Sequence, residues 1–162
     1  MSADTADTAL SAILEREHHE IDAGIERFLA VLADGTVNAA ALTTALEALR
    51  RHIYLEEVLL FPPLRVGALM MPIMVMIREH GQMWQLIEAL DAGLADAADS
   101  AQLERDCREL MTLLERHNSK EEPVIYPHAD ADMPPQADTK LRRFLDGGTT
   151  PDGWVCQQAA IG

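Results

Sequence analysis

The sequence predicts an all-α protein, an up-down-up-down four-helix bundle followed by an irregular C-terminal tail. Only 4% of the residues are aromatic while 48% are hydrophobic, and alanine and leucine, which favour helices, are abundant. Apolar residues recur at alternating steps of three and four in four long segments, which is the period of a helix with one buried face. We therefore expect one bundle domain over residues 1–130 and a tail over residues 131–162 that packs on the bundle or stays mobile.

The apolar stripes place the four helices and their ends. They cover residues 10–32, 42–59, 73–94 and 103–124. Thr8 is the expected cap of the first helix, and Pro62 and Pro63 are expected to stop the second. After Pro127 the composition changes to Pro, Asp, Gly and Thr, and only a short helix around residues 139–145 is expected there. Four long helices joined by short loops are typical of a bundle.

Charge and composition argue against several classes of partner. The formal net charge of −14 repels phosphate backbones and anionic lipid heads, so we expect neither nucleic acid nor a membrane as a partner. The longest apolar run, residues 68–77, is too short to span a bilayer and contains Pro72. The first eight residues lack the basic and apolar regions of a secretory signal. The two cysteines have no CxxC spacing, which fits a reducing compartment, and the expected location is cytoplasmic.

An internal repeat organises the chain into two similar halves. Residues 16–18 and 78–80 both read Arg-Glu-His. Residues 52–62 and 117–127 both fit H-x3-E-E-x-[LV]-[LI]-[FY]-P without a gap. Two helical hairpins related by a pseudo-twofold axis would bring these four motifs together in the middle of the bundle.

Six ionisable residues fall on the apolar stripes, where leucine or isoleucine is otherwise found. An unpaired carboxylate costs several kcal/mol to bury, and a neutral imidazole needs partners for both ring nitrogens. Six such side chains on converging stripes therefore need a common compensator, and a cation supplies it. The candidate metal ligands are His18, His52, Glu56, His80, His117 and Glu121.

The spacing of these residues indicates a site for a pair of metal ions. In H-x3-E the two side chains lie one helical turn apart on the same face, so both reach one metal or adjacent metals. One such motif alone would be read as an ordinary core histidine, but two matching copies predict metal binding. The candidate set contains no thiolate, which argues against a zinc–cysteine site. Mixed imidazole and carboxylate ligands suit iron, manganese or zinc, and two bridging carboxylates favour iron.

The order H…HxxxE…H…HxxxE resembles that of the hemerythrin-like (HHE cation-binding) family over about residues 8–128. The resemblance implies a four-helix bundle and two non-haem iron ions joined by an oxo or hydroxo bridge. It also implies reactions with dioxygen, peroxide or nitric oxide. It assigns His18 and His80 as single-histidine ligands, and His52 with Glu56 and His117 with Glu121 as paired ligands.

Two departures separate the chain from the oxygen-carrying members that it resembles. Trp84 stands where those members have a further histidine, and the pair in the fourth helix is HxxxE rather than a longer spacing with an aspartate. The ligand set is more similar to that of the iron-centre repair proteins. Three functions therefore stay open: binding of a small diatomic ligand, enzymatic turnover of peroxide or nitric oxide, and an iron reservoir. The protein partner and the electron donor cannot be predicted.

Residues beside the candidate ligands are given structural interpretations. We interpret the four neighbouring glutamates as solvated helix charges, with a role as outer acceptors or as replacement ligands as the alternative. Tyr54 and Tyr126 are interpreted as packing residues, with phenol donors at the centre as the alternative. His19 is expected to face solvent because it points about 100° away from His18. The four glutamates are Glu17, Glu57, Glu79 and Glu122.

Overall fold

A computed structural model describes residues 8–160, and every regular element within that range is helical. The all-α prediction is confirmed. We number the α-helices α1 (Leu10–Leu32), α2 (Ala39–Tyr54), α3 (Phe61–Leu64), α4 (Met70–Ala95), α5 (Ser100–Val124), α6 (Tyr126–Ala131) and α7 (Pro135–Leu145). A π-helical turn, Leu55–Leu60, joins α2 to α3, and a 3-10 turn, Gly67–Leu69, precedes α4. Within residues 8–160 no helix is both long and apolar enough to cross a membrane.

The four long helices pack against one another in a closed ring. The most extensive contacts are those of α4 with α5 and of α1 with α2, while α1 with α5 and α2 with α4 complete the ring. This packing buries the apolar stripes in two separate clusters. One cluster includes Ile25, Leu46 and Ile87, and the other includes Leu14 and Ile73. Along each long helix the ionisable residues lie between these two clusters, so the polar layer has an apolar wall on either side.

The ends of the helices correct two expectations. Ala9, rather than Thr8, is the N-cap of α1, and its own side chain makes no cap hydrogen bond, while the first-turn N–H of Ser11 donates to Asp130 Oδ1 of α6 at 3.0 Å. The two prolines after α2 do not stop the chain from being helical, because Pro62 and Pro63 lie in the first turn of the short helix α3. Proline is tolerated there because the amide hydrogens of a first turn have no partner within the helix. The prediction that Pro62 and Pro63 terminate the second helical segment was therefore wrong.

The C-terminal residues lie against the bundle as far as the structure describes them. Leu141 of α7 and Cys156 are buried, and both belong to the apolar clusters. The Trp154 ring packs edge-on against Tyr54 at 5.1 Å and against Trp84 at 5.6 Å. The expected short helix is present and begins earlier, at Pro135. The expectation about a signal segment concerns residues that, apart from Thr8, lie outside the described range.

Candidate metal centre

All six residues singled out from the sequence meet in the polar layer, and each is buried. Their side chains come from α1, α2, the π-helical turn, α4 and α5, with relative exposures between 0 and 4%. Possible ligand atoms form two groups, within each of which they lie no more than 4.8 Å apart. The first group is His18, His52, Glu56 and Glu121, and the second is Glu56, His80, His117 and Glu121. Both glutamates belong to both groups, so the centre has two halves that share their carboxylates.

The π-helical turn explains how two consecutive glutamates of the first motif copy become buried. In a regular α-helix neighbouring side chains point about 100° apart, and a π-helical turn widens the coil. Here Glu56 is 0% and Glu57 4% exposed. Pro62 follows within one turn, and a proline cannot donate the amide hydrogen that continues an α-helical ladder. The π-helical turn therefore accommodates the missing amide hydrogen of Pro62 and keeps the carboxylates of Glu56 and Glu57 in the interior.

Glu56 reaches the two halves with different oxygens. Its Oε2 lies 3.2 Å from His52 Nε2, and its Oε1 lies 3.0 Å from His80 Nε2. Glu121 offers Oε1 to both halves, at 3.3 Å from His18 Nε2 and 3.4 Å from His117 Nε2. One carboxylate that spans two groups of nitrogens is the arrangement that a pair of metal ions requires.

Glu121 shows that these residues fit a cation rather than one another. Both of its carboxylate oxygens are fully buried, and neither has a hydrogen-bond partner. The ring nitrogens near Oε1 are within ion-pair distance but lack the alignment of a hydrogen bond. A buried, unsatisfied polar atom costs about 1–3 kcal/mol, and more when it is charged. A bound cation would satisfy both oxygens.

Distances among the inward-facing atoms also fit a cation. Two ligands at right angles on a metal, each about 2.1 Å away, lie about 3.0 Å apart. His18 Nε2 and His52 Nε2 lie 3.0 Å apart, and His80 Nε2 lies 3.0 Å from Glu56 Oε1. His18, His52, His80 and Glu56 all line the same small cavity. The space left there for a water-sized sphere is about 10 Å³, which is roughly one such sphere.

A second layer of carboxylates orients all four histidines through their outer nitrogens. Each Nδ1 lies at hydrogen-bond distance from a glutamate that is adjacent in sequence to a candidate ligand on a neighbouring helix. The pairs are His18 with Glu122 at 2.7 Å, His52 with Glu17 at 2.8 Å, His80 with Glu57 at 2.8 Å and His117 with Glu79 at 2.9 Å. With Nδ1–H donating to a carboxylate, Nε2 keeps its lone pair for a metal.

The interpretation of these four glutamates as solvated charges was wrong for Glu57 and Glu79. Both are buried, at 4% and 8% exposure, and all four accept from a histidine of another helix. Followed around the bundle, the pairs link α1 to α5, α5 to α4, α4 through the π-helical turn to α2, and α2 back to α1. The signal that could have identified them is the repeat itself, which places a glutamate beside a candidate ligand four times.

The metal-free cluster holds protons that a cation would displace. Burial lowers the pKa of His117, but the charge of Glu121 and the hydrogen bond to Glu79 outweigh it and raise that pKa to about 9. The same opposition raises the pKa of His52 well above its ordinary value, mainly through Glu56. Burial raises the pKa of Glu56, but the neighbouring histidines outweigh it and hold the pKa well below its ordinary value. Metal binding therefore competes with protons at these nitrogens.

Tyr126 lies inside the centre, and its interpretation as a packing residue was wrong. Its side chain is fully buried, and the phenol O–H donates to Glu56 Oε2 at 2.6 Å. The same oxygen lies 2.9 Å from His18 Nε2 and 3.1 Å from His52 Nε2. Burial, together with the charges of Glu121 and Glu56, raises the pKa of the phenol well above its ordinary value. In the metal-free protein the hydroxyl therefore keeps its proton.

Of the other aromatic residues near the centre, Tyr54 has the predicted packing role, and Trp84 also packs among apolar residues. Tyr54 contacts the rings of Phe144 and Trp154 rather than the candidate ligands. Trp84 is 3% exposed and belongs to the apolar cluster on one side of the polar layer. His19 is exposed, as expected. These positions separate residues of the centre from their sequence neighbours.

The C-terminal segment, residues 135–160, contacts one outer glutamate directly and a second one through Arg51 of α2. The backbone N–H of Gln157 donates to Glu57 Oε1 at 2.9 Å. Arg51 donates to Glu17 Oε2 at 3.1 Å, and also to the backbone carbonyls of Phe144 and Gly148. The partners of His52 and His80 are thus both held in part by residues beyond α6.

Comparison with known proteins identifies a family for the part of the chain that contains this centre. A model of the family described as the hemerythrin HHE cation binding domain matches residues 9–129, which include all six candidate ligands and Tyr126. Neither the curated proteins nor the solved structures contain a match. The segment that supplies Phe144, Gly148 and Gln157 lies outside the matched range.

Proposed function

The chain belongs to the hemerythrin HHE cation-binding family, and we propose that it is a non-haem di-iron protein that binds or reacts with dioxygen, peroxide or nitric oxide. His18 and His52 would hold one cation and His80 and His117 the other, with Glu56 and Glu121 shared. The four long helices form an up-down-up-down bundle around this site, and an oxo or hydroxo ion would complete the pair. Imidazole and carboxylate ligands suit iron, zinc and manganese, and two shared carboxylates in a helical bundle are the reason for proposing iron.

The observation that carries the proposal is the sharing of two buried glutamates between two pairs of histidines. Glu56 uses separate oxygens toward the two halves, and Glu121 has two buried oxygens without a hydrogen-bond partner. A single cation would leave one pair of histidines unused. Two ions joined by carboxylates use every inward-facing atom.

The centre is suited to a very small external ligand. The polar layer has apolar clusters on both sides, and without metal it has only about 10 Å³ of space for a water-sized sphere. An organic substrate would therefore need the bundle to open, which leaves very small molecules such as dioxygen, nitric oxide or peroxide as candidate ligands. Bound iron ions supply the two oxidation states through which such molecules are bound or reduced.

The protein's own residues control what reaches the iron ions and how the ligands are held. The outer glutamates fix the histidine rings with Nε2 inward, and such partners are worth 10- to 100-fold in metal affinity or activity. Apolar residues on both sides exclude bulk water. Burial of all six candidate ligands opposes quick release of iron, so the structure supports ligand binding or turnover over an iron reservoir.

The proposal is tested on protein loaded anaerobically with Fe²⁺. We expect two iron ions per chain, and a visible or near-ultraviolet spectrum that changes when dioxygen, hydrogen peroxide or nitric oxide is added. Spectral changes that reverse on removal of the gas indicate binding. Oxygen evolution from peroxide above that of free iron indicates turnover.

Two histidine variants give a matched comparison. His117→Ala removes a candidate ligand of one half and should lose one of the two iron ions and the reaction together. His19→Ala removes an exposed histidine next to a candidate ligand and should keep both. The proposal fails if purified, iron-supplied protein binds no iron, or if His117→Ala reacts like the unaltered protein at the same iron content.

A further inference from the structure

The phenol oxygen of Tyr126 occupies a ligand position in one half of the centre only. Together with His18 Nε2 and His52 Nε2 it forms a triangle with sides of 2.9, 3.0 and 3.1 Å. Three ligands on one face of an octahedral metal ion, each about 2.1 Å from it, form a triangle with sides of about 3.0 Å. The phenol oxygen therefore stands where a third donor atom to the same cation belongs.

The internal repeat makes this donor unique to one half. Tyr126 is the aromatic residue before the proline in the second copy of the motif, and Phe61 is its counterpart in the first. The Phe61 ring stacks on His80 with centroids 5.8 Å apart and planes 12° apart, and it has no donor atom. The pseudo-twofold relation that holds for the histidines and glutamates is thus broken at this pair.

We propose that Tyr126 is a ligand of the cation held by His18 and His52 and that it binds as a phenolate. The proposal rests on the di-iron function given above and adds a side chain to the six. In the metal-free protein the phenol proton is directed at Glu56 Oε2. The cation takes the place of that proton, which leaves to solvent, since a bound cation favours the deprotonated form of its ligand.

A phenolate makes the two iron ions chemically different. The first would have two imidazoles, two carboxylates and a phenolate, whereas the second would have two imidazoles and two carboxylates. An anionic oxygen ligand stabilises the higher oxidation state of the iron that it binds. The second iron, between His80 and His117, has one side-chain ligand fewer and is the site at which an external molecule binds.

The chain offers a clean spectroscopic test because it has only two tyrosines. Ferric protein with two bound iron ions should show a visible phenolate-to-iron charge-transfer band. Resonance Raman excitation in that band should enhance tyrosinate vibrations. Tyr126→Phe keeps the ring and removes only the hydroxyl, so the band should disappear at equal iron content. Tyr54→Phe, whose hydroxyl lies away from the candidate ligands, should keep the full band per iron.

A zinc titration makes the test independent of the stability of Tyr126→Phe. In Tyr54→Phe the remaining tyrosine is Tyr126, and Zn²⁺ binding should produce the ultraviolet difference spectrum of an ionised tyrosine. Absence of the visible band from unaltered protein that contains two ferric ions would overturn the phenolate and leave the di-iron function intact. Survival of the band in Tyr126→Phe, or zinc binding without tyrosine ionisation, would also overturn the phenolate and leave the di-iron function intact. Protein without bound iron would instead contradict the di-iron function.

Discussion

The two halves of the centre have the same histidines and shared glutamates but different surroundings. In the first half, the outer partners of His18 and His52 are Glu122 and Glu17, whose side chains are 29% and 19% exposed. In the second half, the side chains of the partners Glu57 and Glu79 are 1% and 10% exposed, against 4% and 8% for the whole residues. The first half also has a phenol where the second has the ring of Phe61. A sequence repeat can thus place equivalent ligands while leaving two unequal sites.

The inequality has a physical cause in the elements next to each half. The π-helical turn buries Glu57, and the C-terminal segment covers it and donates to it from Gln157. Glu122 lies in α5, one residue before Pro123, and no hydrogen bond links it to the C-terminal segment among the described residues. Charges in the drier half interact more strongly because water screens them less. Substitutions in the second half should therefore have the larger effects.

Removal of a shared glutamate should affect both halves at once. Even the loss of an outer-layer partner costs 10- to 100-fold in metal affinity, so Glu121→Ala, which deletes a candidate ligand of both cations, should cost at least about 100- to 10,000-fold over the two. His117→Ala deletes a candidate ligand of one half and should leave one cation bound. Metal content after gel filtration, with competition by a chelator, measures both. Retention of one cation by Glu121→Ala would show that the halves do not share this carboxylate.

Stability of the metal-free protein should fall as pH rises above neutrality. The pKa of His117 is raised to about 9, so its protonated form stabilises the fold fully below about 6.5, its unfolded value. This contribution is lost as pH rises to about 9, and at 1.36 kcal/mol per pKa unit it is of order 3 kcal/mol. Urea unfolding between pH 6 and 10 measures the loss.

Two controls sharpen the pH experiment. In His117→Gln the decline should be smaller, and in zinc-loaded protein it should disappear because the metal replaces the proton on Nε2. The contribution of Glu79 to stability changes with pH in the opposite direction. Burial raises its pKa, but hydrogen bonds from His117 and Lys120 outweigh this and lower it to about 2. Its contribution is therefore present above about 4.5 and is lost as pH falls toward 2. A metal-free protein equally stable at pH 6 and pH 10 would contradict the assigned proton positions.

Substitution of an outer glutamate should lower metal affinity more when that glutamate is more deeply buried. Glu57→Gln keeps an acceptor oxygen but removes a buried charge, and we expect metal affinity of the second half to fall by roughly 10- to 100-fold. Glu122→Gln makes the same change at a side chain that is 29% exposed, and its effect should lie at or below the lower end of that range. Glu115→Gln, on an exposed part of α5, is the control. Equal losses in the first two variants would remove the difference between the halves.

The smallest expected effect comes from the C-terminal segment. Gln157→Pro removes the N–H that donates to Glu57 Oε1, while Gln157→Ala keeps it. We expect Gln157→Pro to speed metal loss to a chelator by a few fold, since a hydrogen bond to a charged group is worth about 1.5–3 kcal/mol and water can replace part of it. Release of the cation from the second half should become faster, and release of the cation from the first half should not change. Identical release from both variants would show that the segment only packs.

The sequence predicted the helices and the six converging side chains because both depend on periodicity. Residues spaced alternately three and four apart on one helix must face the same core. The internal sequence repeat indicated which helices bring their motifs together. The sequence did not predict the π-helical turn, because the proline pair that causes it also predicts a helix end. The outer contact of Glu57 with His80 and the position of the Tyr126 hydroxyl depend on side chains from different helices, and a stripe on one helix carries no information about them.

The most direct test is a crystal structure of iron-loaded protein with anomalous diffraction measured at the iron absorption edge. We expect two anomalous peaks in the polar layer. One should lie between His18 and His52, the other between His80 and His117, and both should contact Glu56 and Glu121. A single peak in crystals of protein that contains two iron ions per chain, or peaks elsewhere while the six side chains pair only with one another, would contradict a shared-carboxylate pair of cations.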